Sequence, residues 1–313
     1  MLPSLSGMPH IDPELERFVQ AFPVARVSAP GADVVKIRED LDQRWRRMQP
    51  VVQVGEVADL TTPVPVRVYK PVLGAVDLPV VVFLHGGGWC TGSVVTHDDL
   101  CRRISRSAQA VVVSVEYRMA PEHPFPAAVD DSFAVLRWVG SHAREIGGDP
   151  SRIAVAGDSA GGNLAAVLTQ LARDNGGPEL RFQLLLYPAV GGVGEFPSRA
   201  ENTDAPVLST ADIEAFLRHY AGSITGEPPV TLAPALAADL SGLPPAFIAT
   251  VWHDPLRDEA EAYGRLLAAA GVPVETVRFD HLVHSFASYA PLIPAASEAL
   301  EQCLSALRKG LLR

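Results

Sequence analysis

Apolar positions fall into two regimes along the chain. From about residue 50, short runs rich in Val, Ile and Phe alternate with longer stretches at helical spacing. Val64–Tyr69 reads as an early strand. Pro79–Leu84 (PVVVFL) and Ala110–Val115 (AVVVSV) are nearly continuous apolar runs. Ile153–Ala156, Phe182–Leu186, Phe247–Val251 and Val274–Phe279 follow. Runs of this length suit strands buried on both faces of a parallel sheet. The segments between them, 97–108, 128–146, 160–174, 257–270 and 293–309, carry helical patterns. Strand alternating with helix predicts an α/β fold: a doubly wound, mostly parallel central sheet flanked by helices.

Two regions depart from that rhythm. Residues 1–50 read as helical and loosely organised, with Asp12-Pro13 opening a helix. The charged stretch 34–48, ending in Arg44, Trp45, Arg46 and Arg47, reads as a solvated helical face. Residues 189–245 are punctuated by Pro and Gly and hold one clear helical pattern, at 210–221. They predict an insertion between two strands.

Composition narrows the function classes. The chain has 313 residues, 48% of them apolar and 20% charged, enough for a sizeable core. Acidic residues outnumber basic ones 36 to 26, a net charge of −10. That balance argues against nucleic acid and anionic membrane as partners, since both reward clustered Lys and Arg. The three cysteines, Cys90, Cys101 and Cys303, form neither a disulfide framework nor a zinc-ligand pattern. The N-terminus lacks a basic leader, and no apolar run reaches about 18 residues. A cytoplasmic protein without membrane insertion is the expectation.

The strongest chemical signal is Gly157-Asp158-Ser159-Ala160-Gly161-Gly162-Asn163, preceded by an apolar strand and followed by an alanine-rich helix. A strand–turn–helix around Gly-x-Ser-x-Gly forces the serine into the open. Gly157 and Gly161 allow neighbouring backbone to pass close by, and the helix start at Ala160 aims free N–H groups at the reacting oxygen. Asp158 reads as a residue that bonds nearby backbone and shapes the turn. His85-Gly86-Gly87-Gly88 follows the Pro79–Leu84 strand without the Lys or Ser/Thr of a phosphate loop. It predicts backbone donors for an oxyanion, the amides of Gly87 and Gly88, joined by that of Ala160. His85 itself reads as a loop organiser.

A nucleophilic serine needs a base, and the base needs an orienting acid. Reactive groups in open α/β sheets gather where strands end. The Phe247–Val251 strand ends at His253-Asp254-Pro255, so Asp254 is the candidate acid. Asp258 and Glu259 sit where the next helix begins and read as capping residues. The Val274–Phe279 strand ends at Asp280-His281-Leu282-Val283-His284. Spacing leaves His253, His281 and His284 as candidate bases.

Together these pieces resemble the bacterial esterase branch of the hormone-sensitive-lipase-like α/β-hydrolases. The matches run in order over about residues 60–290. They are HGGGW at 85–89, YRMAPEHPFPAA at 117–128, GDSAGGN at 157–163, DPLRDE at 254–259 and His284-Ser285-Phe286. The resemblance implies Ser159 as nucleophile, Asp254 as acid and His284 as base, with Gly87, Gly88 and Ala160 as oxyanion donors. It implies hydrolysis of short- to medium-chain carboxyl esters, no metal or cofactor, and a possible homodimer paired through an edge strand. It also implies a helical cap built from residues 1–50 and an insertion at about 190–240, over a catalytic domain spanning 51–313. Two positions depart from the family pattern: His281 stands where relatives carry Gly, and Cys90 where they often carry a larger apolar residue. An amidase would use the same residues, whereas the family's non-catalytic hormone receptors lack the histidine.

Overall fold

The computed structural model describes residues 9–48, 52–192 and 195–312. The extreme N-terminus, on which the leader reading rested, lies outside them. In chain order the elements are α1 (Pro13–Ala21), α2 (Val34–Met48), β1 (Glu56–Thr61), β2 (Pro65–Lys70), β3 (Leu78–Leu84), α3 (Asp98–Ala108), β4 (Val111–Val115) and α4 (Ala127–His142). They continue with β5 (Gly148–Asp158), α5 (Ala160–Asp174), β6 (Leu180–Leu186), α6 (Pro197–Glu201), α7 (Thr210–Ala221), β7 (Ala246–His253), α8 (Arg257–Ala269), β8 (Val274–Val283), α9 (Phe286–Tyr289) and α10 (Pro294–Leu311). The predicted helix at 128–146 is α4 followed by one 3-10 turn at Ala143–Ile146.

The strands form one eight-stranded sheet in the order β1-β2-β4-β3-β5-β6-β7-β8. β1 and β2 enter antiparallel; β4, β3, β5, β6, β7 and β8 are parallel. The continuous apolar runs are the reason: β3 and β4 are buried at almost every position. Along β3, Val80, Val82 and Leu84 enter one apolar layer and Val81 and Phe83 the other. α5 and the inner faces of α4 and α8 cover the first layer; α3 and α10 cover the second. Each fully buried Val, Leu or Phe contributes about 1.5–3 kcal/mol of transfer free energy. β1 was not predicted. Its alternating half-buried and exposed positions mark an edge strand, and its length matches β2 register for register.

This topology positions the site. β4 lies on one side of β3 and β5 on the other, so the crevice opens beyond the carboxyl ends of β3 and β5. Leu84 pairs with Gly157 in register, so the glycine run after β3 and the serine after β5 leave the sheet side by side.

Val24, Leu41 and Trp45 from the N-terminal side, and Leu208, Ile213 and Phe216 from the stretch between β6 and β7, border a cavity at that crevice. Arg26 Nη1 is 2.6 Å from Asp212 Oδ2 in α7, and its Nη2 donates to the Ala205 and Pro206 carbonyls. Ser28 donates through both N–H and Oγ to Asp212 Oδ1. Ser209 caps α7 through a reciprocal box with the same aspartate. The stretch 34–48 is more than a solvated face. Arg38 donates to the Cys90 and Ala120 carbonyls and pairs with Glu122, and Arg44 donates to the Phe22 and Pro23 carbonyls.

Candidate active site

Ser159 sits between the end of β5 and the start of α5 with φ 54° and ψ −119°. A non-glycine residue at positive φ is strained and persists only where the surroundings over-determine it. Here they do. The Ser159 N–H donates to the Leu186 carbonyl at 2.9 Å, and its carbonyl accepts from Asn163 and Ala189. A Cβ on Gly157 would lie 2.2 Å from the Gly161 oxygen, and one on Gly161 would lie 2.0 Å from the Leu84 oxygen. Both positions therefore require glycine, and the Gly-x-Ser-x-Gly spacing is the sequence trace of that crossing.

His284 and Asp254 arrive from the ends of β8 and β7. His284 Nε2 is 2.9 Å from Ser159 Oγ, and His284 Nδ1 is 2.7 Å from Asp254 Oδ2. The other Asp254 oxygen accepts the Leu256 N–H at 2.8 Å, which fixes the carboxylate's orientation. Both side chains are buried, and Tyr187 packs edge-on against the imidazole at 4.9 Å. Of the three histidines that spacing left open, His284 is the one hydrogen-bonded to Ser159 among the described residues. His281 lies on β8 and donates from Nδ1 to the His10 carbonyl, away from Ser159. His253 ends β7; burial holds its pKa below the ordinary value, and it does not join the Ser159 hydrogen bonds.

The glycine loop after β3 turns through three successive positive φ values: 117° at Gly87, 61° at Gly88 and 58° at Trp89. The Cys90 and Thr91 amides both donate to the Gly87 carbonyl, which closes the loop. Among the described residues, no acceptor meets the N–H groups of Gly87, Gly88 or Ala160. Asp158 accepts the Gly86 N–H at 2.8 Å and so ties the loop to the serine turn, as its reading required. His85 is fully buried and stacks on Tyr117 at 4.2 Å. Burial and the neighbouring His97 push its pKa down to about 3, so it stands neutral and donates from Nδ1 to the Gly86 carbonyl. Cys90 is a buried packing residue whose thiol burial pushes up to about 12.

A cavity of about 420 Å³ opens over Ser159 and His284. Leu41 and Trp45 of α2, Leu208, and Ile213 and Phe216 of α7 contribute apolar walls. Trp89 borders the cavity and stacks on Tyr220 at 4.6 Å. Asp258 and Glu259 lie in the first turn of α8, whose N-cap Leu256 makes no side-chain bond, and their carboxylates reach partners outside the helix. Asp258 accepts the Ser198 N–H. Glu259 accepts the Val190 and Gly191 amides and pairs with Arg199 at 2.8 Å, while burial holds its pKa above the ordinary value. Among the described residues, no group of three His, Cys, Asp or Glu could hold a metal ion.

An eight-stranded sheet with a strained serine after one parallel strand, an aspartate and a histidine after two later ones, and free amides beside the serine defines a hydrolase constellation. Residues 81–288 match the α/β hydrolase fold family, and the chain belongs to that family, within its hormone-sensitive-lipase-like esterases. It is 50% identical to the carboxylesterase NlhH of Mycobacterium tuberculosis over 310 residues, 97% of each chain. It is 47% identical to the esterase LipI of the same organism, with 98% of each chain covered. Among solved structures it resembles a thermostable esterase from Pseudomonas putida, at 34% identity and a TM-score of 0.89, covering 97% of this chain and 99% of that one. No helix of the described residues is long and apolar enough to cross a membrane.

Proposed function

We propose that this chain is a serine carboxylesterase that hydrolyses short- to medium-chain carboxyl esters through an acyl-enzyme. The observation that carries the reading is the hydrogen-bonded run Ser159–His284–Asp254, beside the free amides of Gly87, Gly88 and Ala160. Asp254 holds the imidazole with its proton on Nδ1, leaving Nε2 free to take the Ser159 proton. Oγ attacks the ester carbonyl, and the three amides hold the oxyanion, each worth roughly 3–4 kcal/mol of barrier. His284 returns the proton to the departing alkoxide, and the C–O bond breaks. A water then repeats the steps on the acyl-enzyme, releasing the acid and restoring Ser159. The names of the relatives point to esters as the substrate class. A cavity of about 420 Å³ with mainly apolar walls favours small esters.

The same reading assigns the cap to the N-terminal segment and residues 190–240, on the strength of the Asp212 contacts and the cavity walls from α2 and α7. The three unpaired, buried cysteines fit a reducing cytoplasm. β8 ends the sheet with no further strand paired to it among the described residues, although the Asp12 N–H donates to the His281 carbonyl, and a homodimer would form along that edge, detectable as a doubled mass in light scattering.

The test is hydrolysis of p-nitrophenyl esters of increasing acyl length by wild type and Ser159→Ala. Activity highest on short chains and abolished by the substitution supports the reading. Full activity in Ser159→Ala overturns it. Turnover of matched amides but not esters would move the chain to the amidases.

A further inference from the structure

His97 stands at the N-cap position of α3, yet its side chain makes no capping bond. The ring turns inward and is buried. Nε2 lies 3.1 Å from Asp158 Oδ1, while Nδ1 lies 2.8 Å from Thr96 Oγ1 and 3.3 Å from the Ser93 carbonyl oxygen. Asp158, also buried, accepts the Gly86 N–H through the same Oδ1. The contact is close: a Cβ on Gly86 would lie 2.5 Å from Asp158 Oδ2. One carboxylate thus touches both halves of the site. It precedes Ser159 in the chain and grips the residue that opens the glycine loop.

A buried carboxylate requires a partner. Burial alone would raise the Asp158 pKa and lower that of His97. Their mutual attraction more than offsets it, so Asp158 lies below and His97 above its ordinary value. An uncompensated carboxylate beside Ser159 would oppose the negative charge that grows on a substrate oxygen, and the His97 ring against Asp158 Oδ1 offsets that field.

We propose that His97 is a positioning residue for the oxyanion loop: through Asp158 it holds Gly86, and with it the amides of Gly87 and Gly88, in donating geometry. The proposal rests on the reading of those amides as oxyanion donors given above.

The test compares wild type with His97→Phe and His97→Gln, with rates expressed per site labelled to completion by a fluorophosphonate. Gln keeps a donor toward Asp158; Phe does not. The expected result for His97→Phe is a kcat lower by roughly 10- to 100-fold with KM within about two-fold, since loop amides are moved rather than substrate contacts removed. Affinity for a trifluoromethyl ketone inhibitor falls in parallel, and His97→Gln recovers most of both. Unchanged kcat per labelled site and unchanged ketone affinity would overturn the proposal. So would a loss confined to melting temperature or to the number of labelled sites, the mark of a merely structural histidine. Should His97→Phe fail to fold, Asp158→Asn, which keeps the shape and removes the charge, is judged by the same two quantities. A wild type that binds no fluorophosphonate would remove the assignment of Ser159 instead, and the proposal with it.

Discussion

Gly88→Ala probes how tightly α7 sits on the glycine loop. Gly88 has φ 61°, and a Cβ there would lie 2.2 Å from Phe216 Cγ and 2.3 Å from Cδ1. Carbon atoms pack at about 3.5–4.0 Å, so ring or loop must give way by more than about 1 Å. Overpacking of that kind costs about 1–3 kcal/mol, and the left-handed backbone adds about 1–2 kcal/mol for a residue with a side chain. The expected loss of stability is therefore about 2–5 kcal/mol. If the loop yields rather than the ring, the Gly88 amide leaves its position. Losing one oxyanion donor lowers kcat roughly 10²- to 10³-fold. The double variant with Phe216→Ala removes the overlap and keeps the backbone strain. It should recover the overpacking part of the stability and most of kcat. Urea unfolding and p-nitrophenyl butyrate kinetics on wild type, Gly88→Ala, Phe216→Ala and the double variant measure both quantities. A Gly88→Ala protein with wild-type stability and kcat, or a double variant no better than Gly88→Ala alone, would refute the reasoning.

Other outcomes follow from the same geometry. Asp254→Asn should lower kcat by roughly 10⁴-fold at neutral pH, by analogy with the loss of an orienting carboxylate elsewhere, with Ser159 still labelled slowly by a fluorophosphonate. Asp212→Asn should destabilise the protein by about 1–3 kcal/mol at pH 7, through the charged hydrogen bonds that hold the N-terminal segment to α7. Burial would raise the Asp212 pKa, but bonds from Ser209, Ser28 and Arg26 hold it below the ordinary carboxylate value. A depressed carboxylate stabilises above its unfolded pKa of about 4 and loses that contribution as pH falls through the folded value. The gap between Asp212→Asn and wild-type melting temperatures should accordingly close below about pH 4. Trp45→Ala should enlarge the cavity and shift the preferred p-nitrophenyl ester to a longer chain.

Much of the framework was legible because it rests on local rules. Buried parallel strands need unbroken apolar runs, and the serine turn needs glycine on both sides. Where residues met only through the fold, a single chain gave less. The apolar run of β8 stops at Phe279, but the strand continues to Val283. His281 and His284 therefore looked alike, both just past a strand. The register shift that pairs His253 with Val283 carries β8 onward and leaves His284 at its tip. Asp258 and Glu259 fitted a capping role because their partners, Ser198, Val190 and Gly191, lie 60 to 69 residues earlier in the chain. Arg38 and His97 carried no motif at all. Arg38 meets the Cys90 and Ala120 carbonyls and Glu122, and His97 meets the Asp158 carboxylate, partners that only the packed fold brings within reach.

The stack of Tyr220 on Trp89, with Phe216 lying over Gly88, has a consequence for how such proteins diversify. Helix α7 walls the cavity and also braces the loop that faces the serine. A change in this helix that admits a different guest will disturb reaction speed in the same stroke. Replacing α7 with its counterpart from a relative would carry over a matched pair of traits, selectivity and turnover. New specificities are then reached more easily by altering walls outside α7, such as Trp45, which packs against Tyr289, while α7 stays as it is.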